Sequence, residues 1–202
     1  MVVVFGGTFD PVHVGHLHGA HHVSKSLGGA IVTMMVAPNP QLRKPPVASL
    51  HDRWTMLLLA CKSNPVLQAS RFEDGRDGPT RTVETLRDLT RTNDVPIVWA
   101  IGMDAFQNVS SWYRAEELPE IVSFFVLKRM SPSSDEVPIG FSRVKEPGQL
   151  LESPGGVFVS FKPMLDVSAT EIRRKVRDGC DVSESIHPEV CKHIIKNRLY
   201  RG

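Results

Sequence analysis

Short β-branched runs alternate with longer segments of helical period, and no other feature of the chain constrains its fold so strongly. Val2 to Phe5 reads as a buried strand stopping at Gly6-Gly7, and Val14 to Leu27 as a helix closed by Gly28-Gly29. Ile31 to Val36 is a second strand, ended by the loop that carries Pro38 and Pro40. A helix from Leu50 to Cys61 follows, with Ser49 and Asp52 at capping-box spacing. Val66 to Ser70 reads as a short third strand and Thr82 to Arg91 as the next helix. Strands are expected again at Ile97 to Ile101, Phe124 to Leu127 and Val157 to Phe161, and helices at Ala169 to Val176 and Pro188 to Leu199. Met130 to Gly156, rich in Pro, Ser, Gly and charge, reads as a surface loop with some helix.

The β-α-β-α order predicts an α/β fold, a Rossmann-like doubly wound parallel sheet flanked by helices. At 202 residues the chain fits one compact domain over 1–202, with a C-terminal helical portion from about 165 packed on it. A net charge of +2 gives no reason to expect nucleic acid or a membrane surface as partner, although local basic clusters for phosphate stay open. The three cysteines, Cys61, Cys180 and Cys191, are odd in number and lack paired spacing, which favours a reducing compartment. The N-terminal MVVVFGG has neither a basic region nor a long apolar stretch, and no run approaches the ~20 apolar residues of a membrane span. These features predict a cytoplasmic protein, and they leave a homo-oligomer open.

Ligands of doubly wound sheets gather at the carboxyl ends of the strands. At the first such end stands Gly6-Gly7-Thr8-Phe9-Asp10-Pro11-Val12-His13-Val14-Gly15-His16. Two glycines allow a sharp turn with exposed N–H groups, and Thr8 adds a hydroxyl. His13 and His16, three apart at a helix start, face one side, and the helix end itself favours an anion. Together these groups suit a polyphosphate. His18, His21 and His22 continue the helix, and the i,i+4 pair has zinc-ligand spacing. Without an HExxH, a CxxC or an acidic pair they read as a solvated or packing face, so no metal ligands are assigned.

TFDPVHVGH resembles the (H/T)xGH signature of the nucleotidyltransferase superfamily, and GGTFDPVHxGH resembles the bacterial nicotinate-mononucleotide adenylyltransferases within it. The resemblance implies that His13 and His16 contact ATP phosphates and stabilise the transition state. Near the other end, Asp166 to Arg173 (DVSATEIR) is similar to the family's (I/V)S(S/A)TxIR motif. It implies a second half of a phosphate clamp, with Ser168, Thr170 and Arg173 on the β- and γ-phosphates. Ser168 with Glu171 also has the spacing of a capping box. In the loop Pro38 to Pro45 (PNPQLRKP), Arg43 and Lys44 stand where the family carries a histidine-containing basic motif, and Lys44 is expected at the phosphates.

Ala100 to Asp104 (AIGMD) resembles the family's (I/L)IGxD, placing Gly102 against adenosine and Asp104 on its ribose. Ser111-Trp112-Tyr113 is similar to (T/S)WY, with Trp112 able to stack on a pyridine ring. Pro79 to Thr82 (PTRT) corresponds to (P)SYT, so Thr80 and Thr82 are expected at the mononucleotide together with Asn39 and Arg53. Arg81 replaces the usual tyrosine, and Glu73 in the preceding loop reads as structural. Gly6, Gly7, Thr8 and Phe9 complete the expected ATP contacts.

The resemblance implies adenylyl transfer from ATP to nicotinate mononucleotide, with Mg²⁺ held mainly by phosphates and water. Three alternatives stay open. One is an adenylyltransferase for nicotinamide mononucleotide or a phosphopantetheine-type acceptor. The others are a catalytically silent nucleotide-binding module and a metal-binding protein built on the histidine helix.

Overall fold

In a computed structural model the described residues are all but 41–43, 77, 129–135, 162–164 and 202. In chain order the elements are β1 (Val2–Gly7), α1 (Val14–Ser26), β2 (Val32–Val36), α2 (Leu50–Cys61), β3 (Leu67–Ser70), α3 (Thr82–Thr92) and β4 (Ile97–Gly102). They continue with α4 (Met103–Phe106), β5 (Ser123–Leu127), β6 (Ser142–Arg143), β7 (Gly156–Ser160), α5 (Ala169–Arg177) and α6 (Pro188–Lys196). All seven strands form one sheet in the order β3-β2-β1-β4-β5-β7-β6, and every pairing is parallel. The order runs outward from β1 to β3 and then resumes at β4 on the other side of β1. The switch point therefore lies between β1 and β4, where the first loop leaves the sheet.

The strands read as unbroken apolar runs because both faces of the sheet are covered. Along β1, Val3 and Phe5 join a core with Ala20 and Val23 of α1, Met56 and Leu57 of α2, Ile172 of α5 and Ile194 of α6. Val4 points the other way, into a core with Leu86 of α3, Trp99 and Ile101 of β4 and Phe106 of α4. Each fully buried aliphatic side chain stabilises the fold by about 1.5–3 kcal/mol. The C-terminal helices belong to the first of these cores, and His193 of α6 also bonds Asp52 of α2 at 3.1 Å.

Element ends differ from expectation in informative places. β1 extends through both glycines, because Gly6 and Gly7 stay in register with Met35 and Val36 of β2. α6 stops at Lys196 rather than Leu199; Arg198 and Tyr200 are left-handed, and Tyr200 bonds Asp10 in the loop after β1. Within 130–156 the described residues contain β6 and a 3-10 turn over Pro147–Leu151. β6 is only two exposed residues held by backbone pairing, so no side-chain pattern announces it. At Ser49 the expected cap is present: its hydroxyl accepts from the Asp52 N–H at 3.1 Å and donates to the Asp52 carboxylate at 2.6 Å.

Candidate active site

The loop from β1 to α1 is shaped by Phe9 and by two glycines whose role is steric. Gly6 and Gly7 do not have positive φ, contrary to the sharp glycine turn expected. A Cβ on Gly6 would lie 2.6 Å from the Trp99 ring, and one on Gly7 would lie 2.8 Å from the Phe9 ring. Glycine is required because rings pack against the backbone there. Phe9 itself takes the left-handed conformation (φ 50°), and its buried ring meets Phe5 and His16 edge-on. The Asp10–Pro11 peptide that follows is cis.

His13 and His16 cap α1 reciprocally. The His16 N–H donates to His13 Nδ1 (3.4 Å), and the His13 N–H donates to His16 Nδ1 (3.3 Å). Both Nδ1 atoms are therefore acceptors, which assigns the proton of each neutral ring to Nε2. The rings stack with centroids 3.7 Å apart. Their tautomer and orientation follow from main-chain atoms of the motif itself. Val14 N donates to Ser185 O (2.9 Å), which ties this helix start to the segment before α6.

Both histidines line a cavity of about 490 Å³ at the carboxyl ends of β1 and β4. The cavity also takes in Gly6, Gly7, Thr8, Phe9 and Asp10 of the first loop, Lys44, Pro45 and Pro46, and Gly102 and Asp104 after β4. Thr170 and Arg173 of α5 close it from the far side. At Gly102 an added Cβ would meet no atom within 4 Å, so the space beside the backbone there is open. Arg173 is held in a defined pose: one Nη donates to the Asp10 carbonyl at 2.6 Å, and the other donates to the Thr170 hydroxyl at 3.1 Å. Lys44 and Arg173 bring positive charge to the cavity that the two imidazoles also line.

Ser168 departs from expectation. It occupies the N-cap of α5, but its side chain makes no capping bond. Glu171 instead turns to Arg174, bonding it at 2.5 and 3.0 Å, which holds the carboxyl below its usual range. The salt-bridge geometry at i,i+3 wins over the return bond to the cap. Val167, Ala169 and Thr170 border the cavity, whereas Ser168 does not.

A second correction concerns Arg53, expected to face a mononucleotide phosphate. It is 2% exposed and encloses its guanidinium between strand ends. It donates to Thr8 O (2.9 Å), Ala37 O (2.7 Å) and Pro38 O (3.0 Å). Burial lowers its pKa, opposed by the nearby Asp10 and Tyr200. Arg53 is a strut that joins the loop after β1 to the loop after β2.

The remaining expected residues form a separate cluster outside the cavity. The Asn39 N–H donates to Thr80 Oγ1 (3.2 Å) and its side-chain amide donates to Gly78 O (3.1 Å), so the PN and PTRT segments meet directly. Arg81 stacks on Tyr113 at 3.9 Å, which draws in the SWY segment. Trp112 is half-buried, edge-on to Phe124 at 6.5 Å, and Thr82 begins α3. Glu73 is structural: it is 3% exposed and accepts from the Thr85 hydroxyl at 2.6 Å, with burial raising its pKa. Arg43 lies outside the described residues.

The histidines farther along α1 have other partners. His21 bonds Leu17 O (2.8 Å) and the Asn64 amide (2.6 Å), and His22 bonds Ser160 Oγ (2.6 Å). Among the described residues no group of three or more His, Cys, Asp or Glu is placed to hold a metal ion. Nor is any described helix long and apolar enough to cross a membrane.

Residues 4–175 match the cytidylyltransferase-like family, and this span holds every side chain that lines the cavity. The chain belongs to the cytidylyltransferase-like family. It is 36% identical over 200 residues to a probable nicotinate-nucleotide adenylyltransferase of Thermus thermophilus, covering 98% of each chain. It is 30% identical over 211 residues to one from Yersinia pestis, covering 100% of this chain and 96% of that one. The fold is that of the Plasmodium falciparum nicotinic acid mononucleotide adenylyltransferase solved with NaAD (TM-score 0.78, 17% identity, 98% and 96% covered). A nicotinate-nucleotide adenylyltransferase structure described as putative, from Vibrio parahaemolyticus, is also similar (TM-score 0.66, 19% identity, 99% and 94% covered).

Two residues packed at this cavity wall were given no role by the motif reading. Asp10 lies inside the recognised string, but its role is set by partners 37, 38 and 190 residues away. Tyr200, the most distant of them, donates to the Asp10 carboxylate at 2.8 Å. Its sequence signal is the Leu199-Tyr200 ending after Pro188, which resembles the close of the family's last helix.

Proposed function

We propose that this chain is a nicotinate-nucleotide adenylyltransferase, which moves AMP from ATP to nicotinate mononucleotide and yields deamido-NAD and pyrophosphate. The observation that carries the reading is the joining, in one cavity, of the stacked His13–His16 pair with Lys44 and Arg173. Such a set of donors suits a polyphosphate, and the full-length relatives bear the name of this activity.

A phosphate oxygen of the mononucleotide attacks the α-phosphorus of ATP in line. The new P–O bond forms as the bond from the α-phosphorus to the bridging oxygen breaks, and that oxygen leaves with its electron pair as part of pyrophosphate. The acceptor is already an anion, so no protein nucleophile and no general base is required. Catalysis is positioning plus electrostatic stabilisation. Nε2–H of His13 and His16 donates to the α- and β-phosphate oxygens as charge builds there. Lys44, Thr170 and Arg173 hold the leaving pyrophosphate. The main chain at Gly6, Gly7 and Thr8 seats the triphosphate, Gly102 leaves room for adenosine, and Asp104 accepts from the ribose. Asn39, Thr80, Thr82 and Trp112 form the acceptor side. Arg53 supports both sides through the carbonyls it holds.

The donor set fits a magnesium ion carried by the nucleotide rather than a protein-built metal site. The Asp10 carboxylate already accepts from Val47 N, Ala48 N and Tyr200, which leaves Asp104 as the carboxylate beside the cavity. Bound to the phosphates and mainly to water, the ion supplies charge neutralisation. The three cysteines are unpaired, which supports a reducing, cytoplasmic setting for the enzyme.

The test is a comparison of acceptors with ATP held constant. kcat/KM for nicotinate mononucleotide is expected to exceed that for nicotinamide mononucleotide by about 10²-fold or more, as expected where an ionic group is recognised by polar donors. Preference for the amide, or for a non-pyridine phosphate, would assign a different substrate to the same chemistry.

A further inference from the structure

We infer that Tyr200, at the C terminus, is a positioning residue for the polyphosphate site and acts on Arg173 through Asp10. The inference rests on the reading of the cavity as an ATP site. Asp10 is 4% exposed, and its carboxylate accepts from donors in two parts of the chain, the 47–48 segment and Tyr200. Oδ2 accepts from Val47 N at 2.7 Å, and Oδ1 accepts from Ala48 N at 3.1 Å and from the Tyr200 hydroxyl at 2.8 Å. Arg173 approaches the same residue differently. Its Nη1 is 3.7 Å from Oδ2 and donates instead to the main-chain carbonyl of Asp10 at 2.6 Å.

This arrangement leaves Arg173 poised and incompletely neutralised. A buried carboxylate that loses a donor seeks another. Of the two guanidinium groups near it, Arg53 is held by three carbonyls, and Arg173, 3.7 Å from Oδ2, is the one placed to respond. With the phenol in place, Oδ1 is satisfied and Arg173 stays on the carbonyl and the Thr170 hydroxyl, within the cavity wall. Without it, Arg173 is drawn into a closer ion pair with Asp10 and away from a pyrophosphate.

Two further features support the assignment. The phenol stays protonated, and so stays a donor, well above the ordinary tyrosine range, because burial and the neighbouring Asp10 push its ionisation far up. The backbone is also arranged to deliver it. Arg198 (φ 53°) and Tyr200 (φ 65°) both occupy the left-handed region, which costs a non-glycine residue about 1 kcal/mol or more. That cost is met where the ring is buried to 9% exposure and its hydroxyl reaches across 190 residues of sequence.

The experiment measures binding of inorganic pyrophosphate by calorimetry to the full chain, to Tyr200→Phe, to Arg173→Ala and to the double variant. Steady-state kinetics and thermal unfolding are recorded for each. Phenylalanine keeps the ring and its packing and removes only the hydroxyl. Tyr200→Phe is expected to weaken pyrophosphate binding by about five- to tenfold, the order of one ordinary hydrogen bond, since the hydroxyl acts on the ligand only through Arg173. KM for ATP should rise in parallel, with KM for nicotinate mononucleotide unchanged. In the Arg173→Ala background the same substitution should have no further effect, since the group it acts on is gone. A lowered unfolding temperature with wild-type pyrophosphate affinity would reduce Tyr200 to a structural role and overturn the inference. An undiminished loss in the Arg173→Ala background would also overturn it. Failure of the wild-type chain to bind pyrophosphate would overturn the ATP-site reading, and the inference with it.

Discussion

His16→Ala is expected to lower kcat by about 10²–10³-fold, the usual loss when one donor to a developing phosphoryl charge is removed. The substitution has two consequences, and they are separable. It removes Nε2–H from the cavity, and it also removes the Nδ1 acceptor that takes the His13 N–H, so the reciprocal cap is half broken. Loss of a cap costs about 1 kcal/mol of stability, too little to unfold an enzyme with two well-formed cores. His16→Asn separates the effects, because its side-chain oxygen can stand near the former Nδ1 position without supplying a donor at Nε2. The asparagine variant should recover the unfolding temperature and remain slow. Single-turnover rates together with thermal melts check this, and a His16→Ala enzyme within a few-fold of wild-type kcat would remove the residue from the mechanism.

Arg173→Ala is expected to lower kcat/KM for ATP by about 10²–10³-fold, in the range seen when one partner of a hydrogen-bonded charge contact is truncated. Unlike His16, Arg173 is placed to act on the leaving pyrophosphate, so part of its loss should appear in KM for ATP as well as in kcat. Arg173→Lys should recover little of the activity. The present pose uses two directions at once, toward the Asp10 carbonyl and the Thr170 hydroxyl, and a single ammonium on a flexible stem cannot reproduce that fork. Kinetics with ATP varied at saturating nicotinate mononucleotide measure both effects. Full rescue by lysine would show that charge alone matters and that the held geometry does not.

What the sequence made legible was what local chemistry decides. The strands and most helices were evident from β-branched runs and helical period, and the parallel sheet followed from their alternation. The GGTFDPVHVGH and SATEIR segments were readable because each carries its functional atoms within a few residues of one another. Residues of both segments line one cavity, although Ser168 stands outside it.

The parts that were not legible depend on partners distant in sequence. Arg53 was expected at the mononucleotide, yet its three acceptors lie 15 to 45 residues away and enclose it. Gly6 and Gly7 were read as turn formers, whereas the requirement comes from the rings of Trp99 and Phe9 against the backbone. Ser168 and Glu171 had capping-box spacing, but Arg174 three residues on competes for the carboxylate. The terminus after α6 looked like more helix until the burial of Tyr200 on Asp10 gave the chain a reason to turn. In each case the atoms that the residue engages are set by packing against distant parts of the chain.

The most direct test of adenylyl transfer is the identity and ratio of the products formed from ATP and nicotinate mononucleotide. Separation of the reaction mixture should give pyrophosphate and deamido-NAD in equal amounts, with one ATP consumed for each. ADP in place of pyrophosphate, or AMP released without dinucleotide, would contradict the account.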